Sequence, residues 1–431
     1  MSSSSPWRKI ITGVLVATFS ILFSLLLLEG GVRLLRLAPP NEGTGWFWRV
    51  PDPATGWSLQ PGATGRWFNP QMEYNVDVAI NDDGLRDAPR ATLDKPAGVT
   101  RILLLGDSYV EGLRVPLEQT FGKVLEAQLN VDAPAGRRFE VVNAGVSGWG
   151  TDQELLWLRQ HGAAYAPDLV LLAFFPGNDF ENNSEVLEVE NMGRVQKPFF
   201  HLNGGELALS YFPFDPAAVP EPATDEQASG AAASASGLSP AASWLKEHSA
   251  LYRFAGPALA GGAPDFARSL AARGLLERSL VRSEVGGDTI PVAYGVYRVP
   301  LSDDWTNSVA LTGALVGEMR DQAATLGAPL AAVVVTAPEQ VYPDRWQKRL
   351  DDTPAMANHT WDLNQPNQLA AQIFEQAGVP FLDLLPTFRA HAEQGDQLHL
   401  RQDGHWTPAG ERLAGEATAE FLVEQGMLSD Q

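Results

Sequence analysis

From Arg101 onward the sequence alternates short, almost wholly apolar runs with longer amphipathic ones, and this alternation restricts the fold more than any other feature. RILLLG (101–106), FEVVNAGV (139–146), PDLVLLAFF (167–175), APLAAVVVTA (328–337) and VPFLDLL (379–385) read as strands buried on both faces. Between and after them EQTFGKVLEAQLN, TDQELLWLRQHGAAY, SVALTGALVGEMRDQAATLG, NQLAAQIFEQAG and a last segment at 408–425 read as helices. Strand-helix alternation of this kind predicts an α/β fold, a three-layer sandwich around a mainly parallel sheet. The expected domain runs over 101–431, with an insertion at about 184–305 where the alternation breaks. Inside it DPAAVPEPATDEQASGAAASASGLSPAAS (215–243) is a Pro/Ala/Ser/Gly tract too poor in apolar groups to fold by itself.

Ahead of this domain the chain changes character twice. IITGVLVATFSILFSLLLL (10–28) holds no charge and, as a helix, is roughly 28 Å long at 1.5 Å per residue, close to the hydrocarbon thickness. It continues into EGGVRLLRLAPP without a small-residue cleavage site, so a retained transmembrane anchor is expected rather than a cleaved signal. A nine-residue head (1–9) then stays in the cytoplasm, and the bulk of the chain lies on the periplasmic or extracellular side of the cytoplasmic membrane. Residues 39–98 are rich in Gly, Pro and Trp and include the alternating EYNVDVAIN, which predicts a small β-rich lead-in.

A net charge of −21, with no compensating basic run, argues against nucleic acid as a partner. The absence of cysteine excludes disulfides, thiolate metal sites and a cysteine nucleophile. GVSGWG has the wrong glycine spacing for a dinucleotide site, Gly106 to Gly112 lacks the Lys-Ser/Thr of a phosphate loop, and NDFENNSE has no glycine where a calcium loop turns. Neither a cofactor nor a metal is expected.

In an open parallel sheet, ligands bind outside the carboxyl ends of the strands. There this chain places Gly106-Asp107-Ser108, then Asn143-Ala144-Gly145-Val146-Ser147-Gly148, then Pro176-Gly177-Asn178-Asp179. RQDGHWTPAG follows near the C-terminus, with Asp403 and His405 just ahead of a helix start marked by Thr407 and Pro408. A serine, an amide, a close glycine and an Asp-His pair form a set for acyl transfer, because serine needs a base, the base an orienting group, and the oxyanion donors. His399 is a second candidate base, and Asp107 reads as a loop-holding residue. Ser243 and Lys246 have the SxxK spacing of penicillin-binding proteins, but no KTG follows.

GDS at 106–108, the SG of NAGVSGWG, the GND of FFPGND and the late Asp-His resemble, in order, the blocks of the SGNH (GDSL-type) serine hydrolases. The resemblance covers roughly 101–410 apart from the insertion and implies an SGNH-hydrolase/flavodoxin-like sheet. It implies Ser108 as nucleophile, His405 as base and Asp403 as its orienting carboxylate. The oxyanion hole would comprise the N–H groups of Ser108 and Gly148 and the amide of Asn178. The family's final block is spaced DxxH, whereas Asp403 and His405 are spaced DxH and followed by Trp406, a form similar to that of bacterial exopolysaccharide O-acetylation proteins. The expected function is a membrane-anchored serine esterase removing O-acetyl or similar short acyl groups from a cell-envelope glycan or lipid. The alternatives are an O-acyltransferase using the same acyl-serine on an exopolysaccharide and a non-catalytic glycan-binding member of an envelope assembly.

Overall fold

The computed structural model describes residues 6–35, 38, 48–69, 72–131, 133–134, 136–218, 239–276 and 290–428. They fall into two compact units, one holding the N-terminal helix and the helices at 240–272, the other holding the strands of the α/β domain.

In the first unit α1 (Pro6–Leu34) contains a 23-residue stretch, Thr12–Leu34, long and apolar enough to cross a membrane. The helix outruns the uncharged segment at both ends, since no proline interrupts it before Pro39 and extending a formed helix is far easier than starting one. Helices α7 (Pro240–His248), α8 (Ala250–Gly262) and α9 (Pro264–Ala272) complete this unit. The tract at 215–243 lies outside the described residues over 219–238. Its last four residues open α7, because Ser239 accepts the N–H of Ala242 and Pro240 takes the first helical position.

The second unit begins with short antiparallel ribbons, β1 (Arg49–Asp52) with β2 (Gly56–Leu59) and β3 (Thr64–Phe68) with β4 (Asn75–Ala79). In β4 Val76 and Val78 point inward and their neighbours outward, the alternation that EYNVDVAIN predicts. The central sheet follows, built from β5 (Val99–Gly106), β6 (Arg138–Asn143), β7 (Leu169–Phe174), β11 (Leu330–Val334) and β13 (Phe381–Asp383) in the order β13-β11-β7-β5-β6, all parallel. Between β5 and β6 come α2 (Ser108–Glu111) and α3 (Phe121–Val131), and between β6 and β7 comes α4 (Thr151–Tyr165). After β7 the chain forms α5 (Asp179–Asn183), α6 (Glu185–Met192) and the hairpin β8 (Phe199–Asn203)–β9 (Glu206–Ser210). Strand β10 (Arg298–Val299), helix α10 (Asp303–Thr325), α11 (Pro338–Val341), α12 (Pro343–Asp352), β12 (Thr360–Trp361), α13 (Gln365–Ala377), α14 (Leu385–Glu393) and α15 (Pro408–Glu424) make up the rest.

The three layers follow from the period of two along each strand. Leu103 and Leu105 pack on one side with Leu155 and Leu158 of α4, Leu315 of α10 and Phe374 of α13. Ile102 and Leu104 pack on the other with Leu125 of α3, Phe388 of α14 and Leu422 of α15. β5 is therefore buried on both faces, and its apolar run ends where the chain emerges at the carboxyl edge of the sheet. β6 ends at Asn143, three residues before the apolar pattern does. Asn143 turns its side chain on the backbone there, accepting the N–H of Gly145 (3.0 Å) and donating to the carbonyl of Val110 (2.7 Å).

Candidate functional site

The loops after β5, β6 and β7 meet at the carboxyl edge of the sheet. Gly106 leads out of β5 where a Cβ would fall 2.4 Å from Val110, so the turn into α2 tolerates no side chain at that position. Asp107 caps α2 by accepting the N–H of Tyr109 (2.9 Å), which sets Ser108 at the first helical position.

Opposite Ser108 stands the chain between β13 and α15. Residues 398–407 form a tight hairpin: Leu400 N–H donates to His405 O (2.8 Å), Thr407 N–H donates to Leu398 O (2.9 Å), and His399 bridges Trp406. Gly404, at φ 85°, turns the tip. This turn lets a DxH spacing bring both side chains to one side: Asp403 Oδ1 lies 2.6 Å from His405 Nδ1. His405 Nε2 lies 2.7 Å from Ser108 Oγ. Trp406 is fully buried between Tyr109, Phe121 and Phe388, fixing the hairpin to the core, and the ring of Tyr109 lies against His405 with centroids 4.8 Å apart. The structure thus joins Ser108, His405 and Asp403 in one hydrogen-bonded line.

His399 has no part in that line. It is wholly buried, its Nε2 faces the carbonyl of Thr336 at 3.2 Å, and burial drives its pKa down to about 3. Asp107 is also buried, and burial raises its carboxyl pKa against the pull of Tyr109 N–H and the Asn178 amide. Asn178 Nδ2 donates to Asp107 Oδ2 at 2.8 Å, so the amide expected at the oxyanion is tied to the residue next to Ser108. Gly148 lies beyond β6 at φ 78°, one residue after Ser147. Glu111 of α2 accepts the N–H of Ser147 (2.7 Å) and its hydroxyl, so the loops after β5 and β6 are joined through one carboxylate. Ser243 and Lys246 lie in the other unit.

Sequence reasoning missed the groups that surround Asp403. Arg114, just after α2, donates from Nε to Oδ1 (3.0 Å), and Tyr74, just ahead of β4, donates its hydroxyl to Oδ2 (3.0 Å). Glu73 accepts the N–H groups of Arg401, Gln402 and Asp403 and so holds the hairpin tip by its backbone. Burial opposes ionisation of Asp403, but the hydrogen bonds and charges of His405 and Arg114 hold its carboxyl well below the usual range. Burial and the adjacent Asp403 raise the phenol of Tyr74, which keeps it a donor. Arg49 of β1 and Trp57 of β2 both donate to the carbonyl of Ser147. No local pattern marks Arg114 or Tyr74, whose partner is about 290 or more positions away.

Among the described residues no group of three or more His, Cys, Asp or Glu is arranged to hold a metal. Residues 302–431 match the family model for the SGNH hydrolase-like domain, acetyltransferase AlgX. The SGNH resemblance read from the sequence stands. The matched stretch carries Asp403 and His405 and excludes Ser108, Gly148 and Asn178. The chain is 31% identical over 118 residues to the "Probable alginate O-acetylase AlgJ" of Pseudomonas syringae pv. tomato and 34% identical over 116 residues to that of Pseudomonas putida. Each match spans 27% of this chain and 28% of the relative's length. Among solved structures, the TesA crystal structure has 14% identity and a TM-score of 0.35, covering 76% of this chain and 100% of that one. The acetyl xylan esterase AlAXEase has 10% identity and a TM-score of 0.35, covering 75% and 98%. At these scores neither neighbour bears on the chemistry of this chain.

Proposed function

We propose that this chain is a membrane-anchored acyl-modifying enzyme of SGNH type that works through an acyl-Ser108 intermediate and transfers acetyl groups to a cell-envelope exopolysaccharide. The observation that carries the reading is the line Ser108 Oγ, His405 Nε2, His405 Nδ1, Asp403 Oδ1, with separations of 2.7 and 2.6 Å. In the first half-reaction His405 takes the proton of Ser108 as Oγ attacks the carbonyl carbon of an acyl donor. Asp403 stabilises the imidazolium. The N–H groups of Ser108 and Gly148 and the Asn178 amide receive the oxyanion, and collapse of the adduct returns the proton from His405 to the departing alcohol. In the second half a hydroxyl gives its proton to His405 and attacks the acyl-Ser108; the acyl–Oγ bond then breaks, His405 returns the proton to Ser108, and the new ester leaves.

A sugar hydroxyl as the acceptor makes the reaction a transfer, and water makes it hydrolysis. The names of the relatives favour transfer, and α1, as a retained anchor, would put the site on the outer side of the cytoplasmic membrane, within reach of an envelope polymer. Labelling the full chain in detergent with a fluorophosphonate should modify Ser108, and His405→Ala should abolish the adduct. Partition of the acyl-enzyme between water and an added oligosaccharide then separates transferase from esterase. A folded protein that takes no label at Ser108 overturns the catalytic reading and leaves glycan binding.

A further inference from the structure

In the N-terminal unit, a specific polar contact joins α1 to α7 and α8. Glu29, the first charge after the apolar run, accepts the N–H of Ala250 (2.9 Å) and of Leu251 (2.8 Å) and the hydroxyl of Ser249 (2.8 Å). These groups form the N-terminus of α8, where unpaired amides and the positive end of the helix dipole favour a carboxylate. Arg33 pairs with Glu29 at 2.6 Å and donates to the carbonyl of His248, the last residue of α7. The α7–α8 junction is therefore fastened within about one helical turn of the point where α1 ceases to be apolar.

That contact sets a depth. If the run at 10–28 fills the hydrocarbon, Glu29 sits at its boundary, and the start of α8 sits there with it. The same helices turn large apolar side chains outward: Trp244 is 59% exposed and Phe266 55%, and Phe254 and Leu275 are also exposed. The Trp244 ring stacks on His248, the residue whose carbonyl Arg33 holds. Lys246, Arg253, Arg268 and Arg273 are interspersed among them. Amphipathic helices with exposed Trp and Phe and with basic residues, held at the end of a span, have the chemistry of the headgroup layer. In water the same side chains would leave a solvent-facing apolar surface with no compensating burial.

We propose that α7–α9 form a membrane-surface platform, lying in the headgroup layer of the bilayer that α1 crosses, with Trp244, Phe254 and Phe266 seated at the acyl boundary. The occupant of this face is lipid. The proposal rests on α1 being a retained anchor and is independent of the chemistry at Ser108.

The chain has no cysteine, so single labels are specific. Trp244→Cys, Phe254→Cys and Phe266→Cys, each carrying an environment-sensitive fluorophore, are compared in the full chain reconstituted into vesicles containing phosphatidylglycerol. Leu22→Cys reports insertion of α1, and Asp303→Cys, at the start of α10, serves as the water-exposed control. The expected result is blue-shifted emission at 244, 254 and 266, quenching by lipids bearing a shallow nitroxide, and protection from iodide. Iodide access equal to that at 303, with Leu22 in lipid, overturns the platform. Protection from both quenchers also overturns it, since protein rather than lipid then covers the face. A Leu22 label outside the hydrocarbon overturns the anchor itself, a separately visible outcome.

Discussion

Asp403 receives hydrogen bonds from four groups on three stretches of chain: Nδ1 and the backbone N–H of His405, the guanidinium of Arg114 and the hydroxyl of Tyr74. A carboxylate saturated in this way is fixed both in direction and in charge. Arg114→Gln removes its cationic partner and one of the bonds that fix the carboxylate in front of His405. The expected outcome is a loss of about tenfold in kcat/KM, or ~1.4 kcal/mol, with partial rescue by Arg114→Lys. Tyr74→Phe should lower kcat/KM by a similar or smaller factor, because it removes a donor but no charge. Ser108→Ala should cost at least about a thousandfold in turnover of a chromogenic acetyl ester, while leaving the melting temperature close to that of the parent. Ser108, His405 and Asp403 were legible because each stands in a short block with its own strand or helix signal. Arg114, Tyr74 and Glu73 carry no such signal, and only the folded chain delivers them to Asp403.

At the scale of elements, α2 is only four residues long, yet it holds the edge of the site together. Its Glu111 accepts from the indole of Trp48 (3.0 Å), from Ser147 N–H and from the Ser147 hydroxyl, and is completely buried. Replacing it by Ala leaves three donors without their acceptor. Glu111→Ala is therefore expected to lower stability by about 3–5 kcal/mol, measured by urea unfolding, and to displace the loop that carries Gly148. Gly145→Ala tests the same junction sterically, since its Cβ would lie 2.5 Å from Val110 and 2.6 Å from the Glu111 nitrogen. A cost of about 1–3 kcal/mol is expected, with fluorophosphonate labelling slowed in the folded fraction. The strand signals located β5, β7 and β11 well because continuous apolar runs have no other place than a sheet covered on both faces. FEVVNAGV overran β6 because apolar pattern cannot distinguish the end of a strand from a glycine turn pressed against a neighbouring helix. The short lead-in ribbons were expected, but not that β1 and β2 would reach the carbonyl of Ser147.

At the scale of the whole molecule, several carboxyl groups are buried, among them Glu411, Glu181, Glu154 and Asp179. Burial raises Glu411 to about 8, and burial with the nearby Glu188 raises Glu181 to about 8. Glu154 and Asp179 are both fully buried; burial and the charges of Asp107 and Asp152 raise the first, and burial and the charges of Glu154 and Asp107 raise the second. A carboxyl whose folded pKa lies above its unfolded value contributes fully at low pH, and the contribution is lost as pH rises from the unfolded value near 4.5 through the folded one near 8. Asp403 and Asp87, held low, act in the opposite sense, but their contributions are complete above about pH 5. The melting temperature of the α/β unit should therefore fall between pH 5 and pH 8.5, with a net charge of −21 adding repulsion at the alkaline end. Glu411→Gln should flatten that slope in scanning calorimetry, and an unchanged slope would remove Glu411 from the account. Length, charge, the absence of cysteine, the apolar span and the α/β class were all determined by the sequence alone, because each depends on composition or on the period of a local pattern. The partners of Asp403, the Glu111 clamp, the exclusion of His399 and the capture of Glu29 by α8 were decided only by tertiary structure, because hydrogen bonds and burial depend on distance in space, which a local pattern does not encode.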